Sequence, residues 1–187
     1  SLKPRFSLIL NQSIVLLVSY FGSAVEDIFC YAISASLRGS FSSRLRKEEM
    51  KLTVAELLNA MENSDDAIAE LFIEKKDFSF QDMQAIQRAF HDYVGVDIQK
   101  DTDVNNIILA QACRHVIVHA GGEITQKLVR QVSGAVPRDI KSDMSEQKNV
   151  EFTQEEVQVV AESMKQYLLN LVEKTEVALV NVNLTDH

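Results

Sequence analysis

The residue types that can do chemistry gather in one short stretch, CRHVIVHAGG, at residues 113–122. Arg114, His115 and His119 interrupt an otherwise apolar run, and two glycines follow at once. At about 100° of rotation per residue, Gln111, His115 and His119 fall four apart on one stripe of a helix. Arginine binds phosphate through a charged fork of donors, and histidine transfers protons near neutral pH. The stretch therefore combines an anion binder with two proton carriers.

Three interpretations of this stretch stay open from the residues alone. A buried network would pair Arg114 with a core acid and bond the histidines to backbone, because a lone buried charge costs several kcal/mol. A metal site would use His115 and His119, but HVIVH lacks the glutamate of the HExxH motif and no third ligand is evident. A site for an anion would use arginine on phosphate and histidine as acid or base, a minimal set for metal-free RNA cleavage.

Helices are predicted to position these residues. Asp101 or Thr102 should cap a helix that runs through the stretch and ends at Gly121-Gly122, since glycine favours the end of a helix. Apolar residues cover the rest of its surface, which predicts a central, buried helix. Two capping-box spacings, Thr53 with Glu56 and Thr153 with Glu156, predict the starts of two further helices.

The whole chain is predicted to be all-α. Apolar residues recur with a helical period over residues 7–38 and again after Thr153, while no alternating strand pattern persists. We predict one domain over residues 1–187, a helical bundle with two long helices and several shorter ones. The polar connection at residues 133–150 is longer than most loops, which predicts a mobile or functional segment.

Composition limits the functions that remain. The formal net charge of −8 excludes a uniformly basic surface for nucleic acid. A local basic rim stays open, built either by cations of residues 38–47 (Arg38, Arg44, Arg46 and Lys47) or by Lys127 and Arg130. The two cysteines, Cys30 and Cys113, form no CxxC pair and are expected to be reduced core thiols. The uncharged segment 6–25 is predicted to be a core helix rather than a membrane span.

Arg114–His119 resembles the R-x4-6-H motif of HEPN domains, the higher eukaryote and prokaryote nucleotide-binding family. RHVIVHAGG is similar to the R-N/H-x-x-V-H-N-G-G form of stand-alone prokaryotic HEPN proteins, including the RiboL-PSP-HEPN type. The specific resemblance covers residues 114–122, and the helical layout matches along most of the chain.

The resemblance implies a function. HEPN domains are helical bundles that usually dimerise, and active members are metal-independent endoribonucleases of toxin–antitoxin and antiviral defence systems. Arg114 would bind the scissile phosphate, His119 would be the general acid or base, and His115 would orient the substrate. An acid of the first long helix, Glu26 or Asp27, would pair with Arg114.

The other expectations follow from that function. Gln111 would support the site because it shares the stripe of His115 and His119. The expected partners are RNA, a second copy of the chain, and an antitoxin or regulatory protein. No cofactor, metal or membrane is expected, and the expected location is cytoplasmic.

Two departures from the family pattern limit the resemblance. Gly121 stands where antitoxin-modified HEPN toxins carry tyrosine, and Ala120 replaces the common asparagine. HEPN domains can also be catalytically silent, so a non-catalytic dimerisation or nucleotide-binding module is the alternative function. A purely structural helical domain is the third hypothesis, and it requires Arg114 and His119 to be buried and paired within one chain.

Overall fold

The described chain is built from helices. A computed structural model describes residues 3–39, 44–63, 66–142, 144 and 149–184. Its α-helices are α1 (Lys3–Arg38), α2 (Val54–Asn63), α3 (Ala67–Lys75), α4 (Met83–Ala89), α5 (Thr102–His119), α6 (Gln126–Val132) and α7 (Gln154–Leu184). A 3-10 turn covers Leu45–Lys47, and a π-helical turn, Phe90–Val94, continues α4. In these ranges the only β feature is an isolated bridge between Glu123 and Asn149. The predicted all-α class is confirmed.

Two helices begin at the predicted capping boxes. Before α2, the Glu56 N–H donates to Thr53 Oγ1 at 3.2 Å, and the Thr53 N–H donates to Glu56 Oε2 at 2.7 Å. Before α7, the Glu156 N–H donates to Thr153 Oγ1 at 3.2 Å, and the Thr153 N–H donates to Glu156 Oε2 at 3.0 Å. Each box satisfies two backbone donors that a helix start leaves without intrahelical partners.

Both predicted ends of α5 are confirmed. Asp101 caps the start, because its side chain accepts a hydrogen bond from the Val104 N–H at 2.9 Å. At the other end, the Gly122 N–H reaches the Val116 carbonyl at 3.0 Å. Gly121 (φ 62°) and Gly122 (φ 84°) adopt the left-handed conformation that closes the helix at little steric cost.

The described residues fall into two compact units. The first unit contains residues of 1–23, 81–83 and 99–169, and the second contains residues of 24–80, 84–98 and 170–187. In the first unit, the core includes the fully buried α5 residues Ile107, Leu109 and Cys113. The prediction of a single domain over the whole chain stays a prediction.

The second unit has an aromatic core. The Phe29 ring lies 5.1–5.5 Å from the rings of Phe78, Phe80 and Phe90, and the Phe72 ring lies 5.5 Å from that of Phe78. Most of these pairs are edge-on or tilted, the arrangements that the ring quadrupoles favour. The π-helical turn supplies Phe90 to this cluster.

The described part of the connection 133–150 is anchored by polar contacts in the first unit. Arg138 donates hydrogen bonds to the carbonyls of Val132, Ala135, Ile140 and Lys141 at 2.8–3.2 Å. Residues 143 and 145–148 lie outside the described residues. The mobility of the whole connection stays a prediction.

One face of α1 packs inward and another is exposed. Ile14 and Val18 are buried in the first unit, whereas Ile9, Leu16 and Tyr20 are exposed. By length and composition alone, the segment Phe6–Arg38 is long and apolar enough to cross a membrane. Core helices of soluble proteins meet the same criterion, so the cytoplasmic location stays a prediction.

Candidate active site

The character of α5 changes along its length. From Val104 to Cys113 every residue except Ile108 is buried, which confirms the predicted central position for this part. The prediction is wrong for the last turn, where His115, Val118 and His119 are exposed. The two histidines therefore avoid the desolvation cost that burial would have imposed.

The two histidines form a pair on the exposed face of α5. The His115 and His119 ring centroids lie 4.8 Å apart, with the ring planes tilted by 50°. Four residues separate them, so they occupy adjacent turns of the same face. Within the described part of the chain, neither imidazole has a hydrogen bond or an ion pair. Both rings are therefore available to an external ligand.

Two donors beside the histidine pair lack acceptors. Gln111 is only 8% exposed, and its Oε1 accepts a hydrogen bond from the Met83 N–H at 3.0 Å. Its Nε2 and the Nε of half-buried Arg114 are both buried without a hydrogen-bond partner among the described residues. Each such orphan costs about 1–3 kcal/mol. Because the two residues are three apart on a helix, they lie on the same side. Both atoms are shielded from solvent, so an external acceptor reaches them only after the side chains move.

The predicted supporting acids lie on another element. Glu26 and Asp27 are exposed residues of α1 in the second unit, while Arg114 belongs to the first. Their predicted pairing with Arg114 stays a prediction.

Two of the four cations of the first candidate basic rim pair with neighbouring acids. Arg38 forms an ion pair with Asp66 at 3.7 Å. Arg44 pairs with Asp92 at 3.2 Å, and its guanidinium lies 5.3 Å from the centre of the Tyr93 ring. These contacts compete with any phosphate at Arg38 and Arg44.

The second candidate rim is free to bind phosphate. Lys127 and Arg130 are exposed on α6, the helix that packs against α5. Among the described residues they make no ion pair. They are therefore candidates for contacts to a polyanion that binds at α5.

The cysteine beside Arg114 is not a candidate nucleophile. Cys113 is buried in the first unit, and burial raises the pKa of its thiol to about 12. Burial, followed by Asp66 and Glu70, also raises the pKa of half-buried Cys30. Since the thiolate is the reactive form, Cys113 should be inert near neutral pH and Cys30 should react slowly. Both cysteines are free, and Cys113 lies in the core as predicted, whereas Cys30 is only half-buried.

The remaining described histidine, His91, stands apart from the pair. It is exposed in the second unit, and its Nδ1 lies 2.7 Å from Asp97 Oδ1. Because His91 is exposed like His115 and His119 but lies outside the pair, its substitution is a matched control for substitutions of the pair.

Sequence reasoning missed a buried polar network on α5. Asn106 is fully buried, and its Nδ2 donates to Ser163 Oγ at 3.1 Å and to Asp139 Oδ2 at 3.3 Å. Its Oδ1 accepts from the Asp139 N–H at 3.0 Å. The signal was present as two adjacent asparagines, Asn105-Asn106, at the start of an apolar helix. The network attaches α5 to the connection and to α7, which fixes the helix that carries the histidine pair.

Comparison of the chain with protein-family models, curated proteins and solved structures finds no match. Within the described ranges, no group of three or more His, Cys, Asp or Glu side chains is placed to hold a metal ion. The candidate site is thus defined by its own geometry: an exposed histidine pair beside two buried donors that lack acceptors.

Proposed function

We propose that this chain is a HEPN-type, metal-independent endoribonuclease in a prokaryotic defence or toxin–antitoxin role. The observation that carries the proposal is the exposed pair of rings, His115 and His119, on the same last turns of α5 as the half-buried Arg114. A phosphodiester offers its oxygens to the guanidinium of Arg114. The neighbouring 2′-hydroxyl offers a proton that a histidine can accept. No other described part of the chain combines these chemical groups.

In the proposed mechanism, the nucleophile comes from the RNA. His119 takes the proton of the 2′-hydroxyl, and the 2′-oxygen attacks phosphorus. The bond to the 5′-oxygen breaks, and that oxygen receives a proton from the same histidine of a second copy. Arg114 binds the non-bridging oxygens and stabilises the charge that builds up on them. The products are a 2′,3′-cyclic phosphate and a 5′-hydroxyl, which balances atoms and protons.

Burial and exposure are divided in a way that suits these roles. Arg114 is half-buried. Charges interact more strongly where water is partly excluded, so this guanidinium would attract an anion more strongly than a fully exposed one. The histidines are exposed, so a large substrate can reach them. His115 would orient the phosphate, and Gln111 would support the site from the buried side of the helix.

The proposed partners are RNA, a second copy of the chain, and an antitoxin or regulatory protein in the cytoplasm. An overall charge of −8 opposes RNA binding, so local cations must attract the backbone. Lys127 and Arg130 are suitable cations, because they lie on α6, which packs against α5. Among the described residues neither makes an ion pair.

An RNA cleavage assay in EDTA tests the proposal. The wild type should produce fragments that end in a 2′,3′-cyclic phosphate. Arg114→Ala and His119→Ala should each lower the cleavage rate by at least about 100-fold, the usual contribution of one acid or base. His91→Ala and Arg88→Ala are matched controls on exposed residues of the second unit and should cleave at the wild-type rate.

Full-rate cleavage by either site variant would refute the assignment of catalytic roles. Absence of cleavage by a well-folded wild type would favour the alternative, a non-catalytic HEPN dimerisation or nucleotide-binding module. The observation that favours this alternative is the acidity of the chain together with the ion-paired Arg38 and Arg44. It predicts that a nucleotide binds at the same donors and that Arg114→Ala abolishes the binding.

A third hypothesis, a purely structural helical domain, loses support. It requires Arg114 and His119 to be buried and fully paired within one chain. His119 is exposed, and Arg114 Nε has no acceptor among the described residues.

A further inference from the structure

The spacing of the histidine pair suits a second ligand besides RNA. A zinc-to-nitrogen bond is about 2.0–2.1 Å, and a ring nitrogen lies about 1.1 Å from its centroid, so a bound metal stands about 3.2 Å from each centroid. With 4.8 Å between the His115 and His119 centroids, the two bonds would subtend about 97° at the metal. That angle lies between the square-planar and tetrahedral values. A single metal ion between the rings would therefore have an ordinary coordination angle once side-chain rotation turns one nitrogen of each ring towards it.

We propose that His115 and His119 form a two-histidine site for a late first-row transition-metal ion, such as Cu²⁺, Ni²⁺ or Zn²⁺. Imidazole nitrogen prefers these ions, whereas Mg²⁺ and Ca²⁺ prefer oxygen ligands. Two nitrogens that α5 presents on adjacent turns lose little freedom on binding, which favours chelation over capture by a single histidine.

The site would be open and reversible. No third His, Cys, Asp or Glu completes a metal cluster among the residues that the structure describes. Water would fill the remaining coordination positions, unlike in a structural zinc site, which has four protein ligands. EDTA should therefore remove the metal without unfolding the protein.

Metal binding would have a consequence for catalysis, and this step rests on the proposed function. A ring nitrogen that holds a metal cannot accept or donate a proton. A metal on His115 and His119 would therefore inhibit the proposed ribonuclease, so the ion acts as a negative regulator and not as a cofactor.

The binding test is a titration of the full chain, without an affinity tag, with Ni²⁺ as the probe. Isothermal titration calorimetry measures the affinity and the number of ions bound. The wild type should bind one Ni²⁺ per chain. His115→Gln and His119→Gln should each weaken binding by at least about tenfold, since even the loss of an indirect contact to a metal ligand has an effect of this size. His91→Gln should bind like the wild type because His91 is not part of the pair and has no ring contact with another described histidine. All three substitutions are at exposed positions, so the variants should fold.

Failure of saturable binding by the wild type would overturn the metal site. Wild-type affinity in either of the two site variants would overturn it as well, since one ring would then suffice. RNA cleavage, measured with and without Ni²⁺, separates this inference from the proposed function. If Ni²⁺ binds as expected and the metal-free chain cleaves no RNA, the metal site stands and the ribonuclease fails. If cleavage proceeds at the same rate with Ni²⁺ bound, the inhibitory role is overturned.

Discussion

The buried ion pair between Lys141 and Glu156 offers a quantitative test of how the connection 133–150 is held. Lys141 Nζ lies 2.8 Å from Glu156 Oε2, and the two side chains are 3% and 19% exposed. The Lys141 N–H also donates to Glu156 Oε1 at 3.3 Å, and Nζ donates to the Glu151 carbonyl. Glu156 additionally caps α7 through the Thr153 N–H. One carboxylate thus joins the connection to the start of the last helix.

The cost of breaking the pair depends on which charge stays behind. Glu156→Gln leaves a buried ammonium ion with a neutral partner, which should lower the free energy of unfolding by about 3 kcal/mol. Lys141→Met leaves a carboxylate that is partly in contact with water, so we expect a loss of about 1.5 kcal/mol. The double variant leaves no buried charge and should lose about 2 kcal/mol, well below the additive sum of about 4.5 kcal/mol. The coupling is therefore about 2.5 kcal/mol.

Urea unfolding followed by circular dichroism measures all four free energies. The exposed pair of Lys165 and Glu162, at 3.2 Å with side chains 63% and 57% exposed, is a matched control. Its coupling should stay below about 0.5 kcal/mol because water screens it. If Glu156→Gln costs less than about 1 kcal/mol, or if the single effects add, the buried pair does not hold the connection as argued.

Three further predictions concern the thiols, one helix start and one helix end. In the native protein Cys113 should not react with a thiol reagent at pH 7.5 while Cys30 reacts slowly, because burial raises both pKa values; rapid modification of two thiols would contradict this. A hydrogen bond from Lys75, followed by those from Thr53, lowers the pKa of Glu56 to about 2. This carboxylate therefore stabilises the fold above its unfolded pKa of about 4.3, and the contribution is lost as the pH falls towards 2. Urea unfolding of Glu56→Gln should show a weaker loss of stability between pH 6 and pH 2.5 than the wild type, and equal losses would refute the assignment. Gly122→Ala places a side chain at φ 84°, a conformation that is strained for residues other than glycine, although no atom lies within 4 Å of the added carbon. The substitution should lower the free energy of unfolding by about 1 kcal/mol. An unchanged urea midpoint would contradict this.

The features that sequence predicts well are local ones. The capping boxes at Thr53 and Thr153 and the ends of α5 depend on residues three or four apart, and each was confirmed. Such contacts are set by helix geometry, so the spacing in the chain is enough to predict them. The exposure of His115 and His119 was left open, because apolar neighbours such as Val118 indicated burial while an anion-binding site required access.

The features that sequence could not predict depend on distant residues. Asn106 meets Asp139 and Ser163, which are 33 and 57 positions away, and no periodic pattern encodes those distances. The unpartnered Nε2 donor of Gln111 also depends on a residue far away in the sequence. Its side chain is identifiable in the sequence, but the Met83 N–H that occupies its oxygen is 28 positions away. Only the folded chain shows which half of the amide is satisfied.

The division of α5 into a buried part and an exposed part has a consequence for how this protein can change. Substitutions within Val104–Cys113 act on the core, where most replacements reduce the amount of folded protein. Substitutions at His115, Val118 and His119 meet water, so they should alter chemistry with little effect on abundance. A library of random variants can be sorted once for soluble expression and once for activity. Positions before Arg114 should affect expression, and positions from Arg114 onward should affect activity. Selection can therefore retune the end of this helix, or silence it, while the rest of the helix keeps the fold intact.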